Sequence, residues 1–219
     1  MAAPMIAPRI GRVRPAVRPA GRLRGLWTVV LAAGGARRFG RRKLLLVTGR
    51  ETLLGLAADN AAGVTGQRCI VVLGAGAGRA RRHLDGRRLS VVVNRRWREG
   101  MSASLQAGID ALPRSARAAM VVLADQYAIG PADLQRLAAA WARRPLQAAA
   151  ATVGGRPGAP AILPRRLFAR VQQLRGDQGA RQLLREPGFA FTAVPMPEAT
   201  ADVDERRDLQ VLRRSQSRR

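Results

Sequence analysis

Residues 27–43 read WTVVLAAGGARRFGRRK and place a glycine-rich turn directly after an apolar run. A run such as 27–33 is typical of a strand buried in a parallel sheet. The turn contains three glycines that let backbone N–H groups approach a ligand closely: Gly34, Gly35 and Gly40. Lys43 ends the turn and is the only lysine among 39 basic residues. Because Lys is a compact point charge and Arg a planar fork, we predict a phosphate site in which Arg38 and Lys43 contact different phosphates.

The alternative interpretation of residues 34–43 is an ordinary surface turn in an arginine-rich protein. The spacing matches neither a Walker loop nor a dinucleotide fingerprint. The position of the turn, directly after the first strand and with the sole lysine at its end, favours the phosphate site.

Apolar runs alternate with helical patterns from Trp27 onward. Strands are predicted at 27–33, 68–73, 89–93, 118–124, 147–153 and 189–195, with a shorter extended stretch at 160–163. Helices are predicted at 50–62, 101–112, 131–142, 164–174, 178–185 and 205–214. This alternation predicts a doubly wound, mostly parallel α/β sheet with helices on both faces, a variant of the Rossmann fold. In such sheets the ligand crevice lies at the carboxyl ends of the strands.

The composition indicates one globular domain, since 47% of the 219 residues are apolar. We predict that this domain spans residues 26–215, between a disordered extension rich in Arg, Pro and Ala at 1–25 and a basic tail at 216–219. No stretch approaches the roughly 18 apolar residues of a membrane span. Cys69 is the only cysteine and His83 the only histidine, which excludes an intrachain disulfide, a zinc set and a Ser–His triad. We expect a cytoplasmic protein.

The formal net charge of +25 first suggests nucleic acid as a partner. Six arginines lie in residues 1–25 and four in residues 213–219, but neither end interleaves them with the aromatic side chains of a stacking platform. We therefore predict no specific nucleic acid and no membrane as partners. The positive field suits an enzyme whose ligands are polyanions.

Acidic residues follow the fourth predicted strand and precede the last predicted helix. Asp125 comes directly after the apolar run 118–124, and Asp202 and Asp204 come just before 205–214. An acid at the mouth of a buried strand needs a cationic partner, and Mg²⁺ on a nucleotide commonly binds one or two carboxylates. The alternatives are helix capping and pairing with arginine.

Small polar residues follow the third predicted strand. Asn94 directly follows the strand predicted at 89–93, and Ser102 and Ser104 lie in the first turn of the next predicted helix. Their N–H and O–H groups are suited to a base or a ribose, whereas capping of the helix by Ser102 is the competing interpretation.

Five segments, in this order, resemble the MobA-like nucleotidyltransferases, and in particular their molybdenum cofactor cytidylyltransferase branch. The family pattern L-A-A-G-x-S-x-R-[MF]-G-x-x-K corresponds to LAAGGARRFGRRK at 31–43, and N-x-x-W-x-x-G-M-x-x-S-L to NRRWREGMSASL at 94–105. The pattern L-A-D-Q-P corresponds to LADQY at 123–127, and D-[IV]-D-T-P-E-D-L to DVDERRDL at 202–209. Between them, GRPGAP at 155–160 and GDQGAR at 176–181 match a further family pattern.

The resemblance implies the nucleotide-diphospho-sugar-transferase variant of the fold and a Mg²⁺-dependent transfer of CMP from CTP to the phosphate of molybdopterin or the molybdenum cofactor. Pyrophosphate would leave, Lys43 and Arg38 would be the catalytic cations, and Asp125, Asp204 and Asp202 would hold the metal. The nucleotide would contact Leu31, Ala32, Ala33, Gly34, Gly35, Ala36, Gly40, Lys43, Asn94, Ser102 and Ser104. The acceptor would contact Gly158, Ala159, Pro160 and Asp177. The implied partners are a nucleoside triphosphate, the molybdenum cofactor, and a molybdoenzyme or its maturation chaperone.

Four residues depart from the family patterns: Ala36, Tyr127, Ala159 and Arg206. They leave the nucleotide half nearly complete and put the acceptor in question. Three alternatives therefore stay open. These are transfer of GMP or another nucleotide to a different phosphorylated acceptor, a molybdenum cofactor chaperone without turnover, and a nucleic-acid binder that uses the basic ends.

Overall fold

The computed structural model describes residues 23–34, 43–48 and 51–200. Its strands are β1 (Leu26–Ala32), β2 (Val47–Thr48), β3 (Glu51–Thr52), β4 (Cys69–Leu73), β5 (Ser90–Val93), β6 (Ala118–Leu123), β7 (Ala148–Val153), β8 (Arg156–Pro164) and β9 (Phe191–Pro195). Its α-helices are α1 (Leu53–Thr65), α2 (Ala77–Arg82), α3 (Met101–Asp110), α4 (Pro131–Ala142), α5 (Phe168–Val171) and α6 (Ala180–Leu184).

Seven strands form one sheet in the order β5-β4-β1-β6-β8-β7-β9, while β2 and β3 form a separate hairpin. Within the seven-stranded sheet, β8 alone runs antiparallel to its neighbours. The chain leaves β1 toward β4 on one side and later returns to β6 on the other. This reversal of winding opens a crevice at the carboxyl ends of the central strands, where ligands bind in such sheets.

Helices cover both faces of the sheet because alternate residues of β1 point to opposite sides. Val29 and Leu31 are buried in one cluster with residues of α3, α5 and α6. Val30 and Ala32 are buried on the other face with residues of α1. Helix α4 packs on that second face against the far half of the sheet and against α1. The doubly wound, mostly parallel α/β fold is thus confirmed.

The six predicted strands are confirmed to within two residues at each end. The domain packs from Leu23 onward, since this residue, within the extension predicted at 1–25, is 8% exposed and buried in a core cluster. Pro131 opens α4 as predicted, and α3 begins at its predicted residue. The helix predicted at 205–214 lies outside the described residues. None of the helices in the described part of the chain is long and apolar enough to cross a membrane.

The extended stretch predicted at 160–163 is in fact the long strand β8, which forms a hairpin with β7. Gly154 and Gly155 both have positive φ, the geometry of the tight two-residue turn that joins antiparallel strands. Pro160 is tolerated in β8 because the register with β7 shifts between Ala150 and Ala151, which leaves residues 159 and 160 unpaired in a bulge.

The bounds of three predicted helices are wrong, α3 ends two residues before its predicted end, and one helix was not predicted. The helix predicted at 50–62 begins after the β2–β3 hairpin and continues through Gly63 to Thr65. The helices predicted at 164–174 and 178–185 are shorter, at Phe168–Val171 after a 3-10 turn and at Ala180–Leu184. Helix α2 was not predicted, since none of its six residues is buried and no apolar period marks it.

Candidate active site

The carboxyl ends of β1 and β6 bring two predicted site segments side by side. The strands pair in parallel with Leu31 opposite Leu123, and the N–H of Ala124 donates to the carbonyl of Leu31 at 3.1 Å. The turn that begins at Ala33–Gly34 and the acid that follows Ala124 therefore leave the sheet at the same edge. Four predicted residues of this turn lie outside the described residues: Gly35, Ala36, Arg38 and Gly40.

Lys43 contacts Asp125 across this edge. Its Nζ lies 3.0 Å from Oδ2 of Asp125, although 82 positions separate the two residues in sequence. Lys43 lies in a 3-10 turn, and it is the only charged residue among the buried polar residues in the described part of the chain. The Asp125 side chain keeps 31% of its surface exposed, so a cation or a phosphate-bound ion can reach it from solvent.

Of the three metal ligands predicted from the sequence, the structure describes Asp125, whereas Asp202 and Asp204 lie outside the described residues. Within residues 23–34, 43–48 and 51–200, no group of three or more His, Cys, Asp or Glu side chains could hold a metal ion. A divalent cation at Asp125 would therefore need ligands from elsewhere, and phosphate oxygens of a nucleotide are the kind that Mg²⁺ accepts.

The segment that carries Lys43 is anchored to the start of α1. The N–H of Leu53 donates to the carbonyl of Leu46 at 3.1 Å, and Oγ1 of Thr52 accepts from the N–H of Gly55 at 3.0 Å as the helix cap. Glu51 accepts hydrogen bonds from Arg87. Partial burial disfavours the charge of Glu51, but the hydrogen bonds from Thr52 and Arg87 outweigh it and lower its pKa. The segment of Lys43 is thus joined through Leu46 to the start of α1.

Arg87 connects Glu51 to Asp59 in the middle of α1. Its guanidinium donates to both carboxylate oxygens of Asp59, at 2.7 and 2.8 Å, besides its bond to Glu51. The hydrogen bonds that Arg87 donates to Asp59 and Glu51 raise its pKa despite the opposing effect of burial. The guanidinium thus stays charged and holds two carboxylates at fixed distance.

Asn94 and Ser104 are buried and contact each other. Nδ2 of Asn94 donates to Oγ of Ser104 at 3.1 Å, and its Oδ1 accepts from the N–H of Arg96 at 2.9 Å. Ser102 is also buried, but Gly100 is the cap of α3, so capping by Ser102 was the wrong alternative. These contacts shape the loop after β5. Contact of the three side chains with a nucleotide stays a prediction.

The loop after β5 packs against the loop after β4. A Cβ on Gly74 would lie 2.6 Å from the carbonyl oxygen of Ala33 and 2.7 Å from Cβ of Trp97. Gly74 therefore permits close contact between the carboxyl ends of β1 and β4, and this packing accounts for its place after the strand. The Trp97 ring, half-buried, lies against the guanidinium of Arg98, 4.6 Å from the ring centroid. Sequence reasoning did not place Trp97 in the site, although it stands in the matched segment 94–105.

The predicted acceptor residues fall into two groups. Ala159 and Pro160 lie in the β8 bulge, and Gly158 pairs with Ala151 directly before it. The carbonyl of Ala159 accepts a hydrogen bond from Nε2 of Gln126, next to Asp125. Asp177 is exposed and lies beside α3 instead, since a Cβ on Gly100 would come within 2.8 Å of its Oδ1. The structure thus joins the bulge to the Asp125 side of the crevice and Asp177 to the Ser102 side.

Comparisons with known proteins agree with this arrangement. Rv0371c from Mycobacterium tuberculosis H37Rv superposes with a TM-score of 0.72 at 29% identity, over 87% of this chain and 98% of that one. The same protein in complex with manganese gives 0.67 at 27% identity, over 87% and 99%. A nucleotidyl transferase from Methanothermobacter thermautotroptrophicus gives 0.72 at 25% identity, over 88% and 98%. No match was found among curated proteins.

The family assignment depends on a match over most of the chain. The model of the MobA-like NTP transferase domain matches residues 28–191. This range begins in β1, ends at the first residue of β9, and contains Lys43, Asp125 and the loops around them. The chain therefore belongs to the family of MobA-like NTP transferase domains.

Proposed function

We propose that this protein is a Mg²⁺-dependent nucleotidyltransferase that transfers CMP from CTP to the phosphate of the molybdenum cofactor and releases pyrophosphate. The observation that carries the proposal is the contact between Lys43 and Asp125 at the carboxyl ends of β1 and β6. A buried ammonium beside an accessible carboxylate provides one group for phosphate and one for a phosphate-bound cation. Family membership supports a nucleoside triphosphate as the substrate.

The donor set at Asp125 suits a hard divalent cation. Carboxylate oxygen is the ligand type that Mg²⁺ prefers, and an exposed carboxylate leaves room for phosphate oxygens and water in the same coordination shell. Asp202 and Asp204 are the proposed further ligands. The manganese complex of mycobacterial Rv0371c, which is 27% identical to this chain, supports the proposal of a divalent ion. The ion, when bound, supplies positive charge that offsets the negative charge of the triphosphate.

The chain's own residues provide positioning and electrostatic stabilisation, which supply most of the catalysis in phosphoryl and nucleotidyl transfer. The proposed role of Lys43 is to place a point charge on the phosphates whose oxygens become more negative as the bond to pyrophosphate breaks. Arg38 and the N–H groups of the 34–40 turn are the proposed second contact. The hydrogen bond from the N–H of Leu53 to the carbonyl of Leu46 ties the segment that carries Lys43 to the start of α1.

The acceptor side is proposed from the resemblance and from one contact. Gln126 connects Asp125 to Ala159 in the β8 bulge, so an acceptor bound at Gly158–Pro160 would lie near the α-phosphorus of a nucleotide at Asp125. A molybdoenzyme or its maturation chaperone is the proposed recipient of the product.

The test incubates the protein with Mg²⁺, molybdenum cofactor and each of CTP, GTP, ATP and UTP, and identifies products by mass spectrometry alongside pyrophosphate release. We expect a cytidine dinucleotide form of the cofactor with CTP, and none when Mg²⁺ is chelated. Turnover with GTP in place of CTP would contradict the nucleotide assignment. Cofactor binding without pyrophosphate release would instead identify a chaperone.

A further inference from the structure

Gln126 is a buried amide next to Asp125, and it donates two hydrogen bonds to backbone carbonyls. The residue as a whole is only 7% exposed. Nε2 lies 2.9 Å from the carbonyl oxygen of Ala159 and 2.9 Å from that of Ala199. Because both partners are acceptors, the orientation of the amide is fixed, and Oε1 points away from both.

The two carbonyls belong to segments that are far apart in sequence. Ala159 lies in the β8 bulge, and Ala199 lies in the 3-10 helix Pro197–Thr200 that follows β9. Gln126 itself follows Asp125 and lies in a turn, in which its own N–H donates to the carbonyl of Leu123 at 3.3 Å. One side chain thus joins the Asp125 turn, the β8 bulge and the segment that leads to residues 202–204.

The amide is retained at an energetic cost. Oε1 of Gln126 is buried and has no hydrogen-bond partner among the residues that the structure describes. A buried polar atom without a partner is unfavourable, and an apolar side chain of similar length would avoid it. Packing alone therefore does not explain a glutamine here, whereas its two donated bonds do.

We infer that Gln126 is a positioning residue that fixes the Asp125 turn relative to the Ala159 bulge and the Ala199 segment. The functional consequence rests on the proposed function, because these segments would carry metal ligands and the acceptor site. Loss of the amide leaves Asp125 chemically intact but lets its neighbours move, and removal of a residue that orients metal ligands typically costs about 10- to 100-fold in metal affinity or activity.

The test compares Gln126→Met with a matched control, Gln106→Met. Gln106 is also 7% exposed, and its Nε2 also donates to backbone carbonyls, those of Val171, Gln172 and Leu174. Both variants remove a buried amide donor and keep a side chain of similar length. Hydrogen exchange followed by mass spectrometry reports the mobility of each joined segment.

In Q126M we expect faster exchange in peptides covering 156–163 and 196–200, with 171–174 unchanged, and in Q106M the reverse. Unchanged exchange at 156–163 and 196–200 in Q126M would overturn the inference. If Q126M does not fold, Gln126→Asn serves in its place, because its shorter amide keeps the polarity but cannot reach both carbonyls.

Metal binding is measured by titrating Mn²⁺ in the presence of CTP and recording free Mn²⁺ by electron paramagnetic resonance. We expect Q126M to weaken Mn²⁺ binding about 10- to 100-fold and Q106M to leave it near wild type. Equal loss in both variants, or no loss in Q126M, would contradict a positioning role at the metal. Should wild type itself bind no Mn²⁺ with CTP, the proposed function fails, and the exchange result alone decides whether Gln126 holds the three segments.

Discussion

Replacement of Lys43 by Met separates two roles of its ammonium. Nζ of Lys43 lies 3.0 Å from Oδ2 of Asp125, so a divalent cation must compete with it for the same carboxylate. With nucleotide bound, the proposed place of the ammonium is on the phosphates. We therefore expect K43M to bind Mn²⁺ more tightly than wild type when nucleotide is absent, and nevertheless to lose turnover.

The magnitude follows from the geometry of the pair. A hydrogen bond to a charged group contributes about 1.5–3 kcal/mol net when shielded from water. Because the Asp125 side chain keeps 31% of its surface exposed, solvent weakens the pair. We take about 1–2 kcal/mol, which corresponds to a roughly 5- to 30-fold gain in Mn²⁺ affinity. Loss of a preorganised charge at the phosphates should lower turnover by about 10²–10³.

The assay titrates Mn²⁺ into wild type, K43M and Lys43→Arg without nucleotide, with free Mn²⁺ read by electron paramagnetic resonance. K43R keeps the positive charge, so its Mn²⁺ affinity should stay near wild type, while the broader guanidinium lowers turnover. Mn²⁺ affinity in K43M that is equal to or weaker than wild type would refute competition for the carboxylate.

Three further predictions concern other residues of the described structure. Asp125→Asn should nearly abolish product formation with CTP, while Asp85→Asn, at an exposed acid away from the crevice, should leave the rate unchanged. Gly74→Ala should lower the free energy of unfolding by about 1–3 kcal/mol, because its Cβ would meet the Ala33 carbonyl at 2.6 Å; urea denaturation measures this. Gly78→Ala in α2, where a Cβ meets nothing within 4 Å, should instead stabilise the protein, by about 0.5–1 kcal/mol. Burial, with a smaller effect of Asp59, raises the pKa of Cys69 from 9.0 to about 12. The folded thiol keeps its proton where the unfolded one loses it, so stability should fall from pH 9 to 12 more steeply than in Cys69→Ala. Native Cys69 should also resist iodoacetamide until the protein unfolds, and rapid labelling of folded protein would show that it is accessible.

The central sheet could be predicted because its signal is local. β1, β4 and β6 are buried on both faces, and such strands are continuous apolar runs in the sequence. The proximity of Lys43 and Asp125 followed from the rule that the carboxyl ends of parallel strands form one edge. Because Lys43 is the only lysine in an arginine-rich chain, it could also be singled out as the cation at this edge.

Other features could not be predicted because they depend on pairing or on backbone groups. The direction of β8 is set by the turn at Gly154 and Gly155, a signal present in the sequence but obscured by the prolines that follow it. The partners of Gln126 are the backbone carbonyls of two alanines. Because every residue has a backbone carbonyl, the sequence does not indicate which ones accept these bonds. No residue of helix α2 is fully buried, and its contact with the core is made by two small, half-buried alanines, Ala77 and Ala80, so its sequence shows no clear apolar period.

The place of β1 between β4 and β6 also governs what a ribosome exposes during synthesis. Until residues 118–123 have been translated, one side of β1 has no strand beside it. The nascent chain then presents free N–H and C=O groups along an apolar strand, which is a template for association with another polypeptide. Since 82 positions separate Lys43 from Asp125, a product terminated between β5 and β6 carries the lysine without its carboxylate partner. Such a fragment should aggregate and require a chaperone.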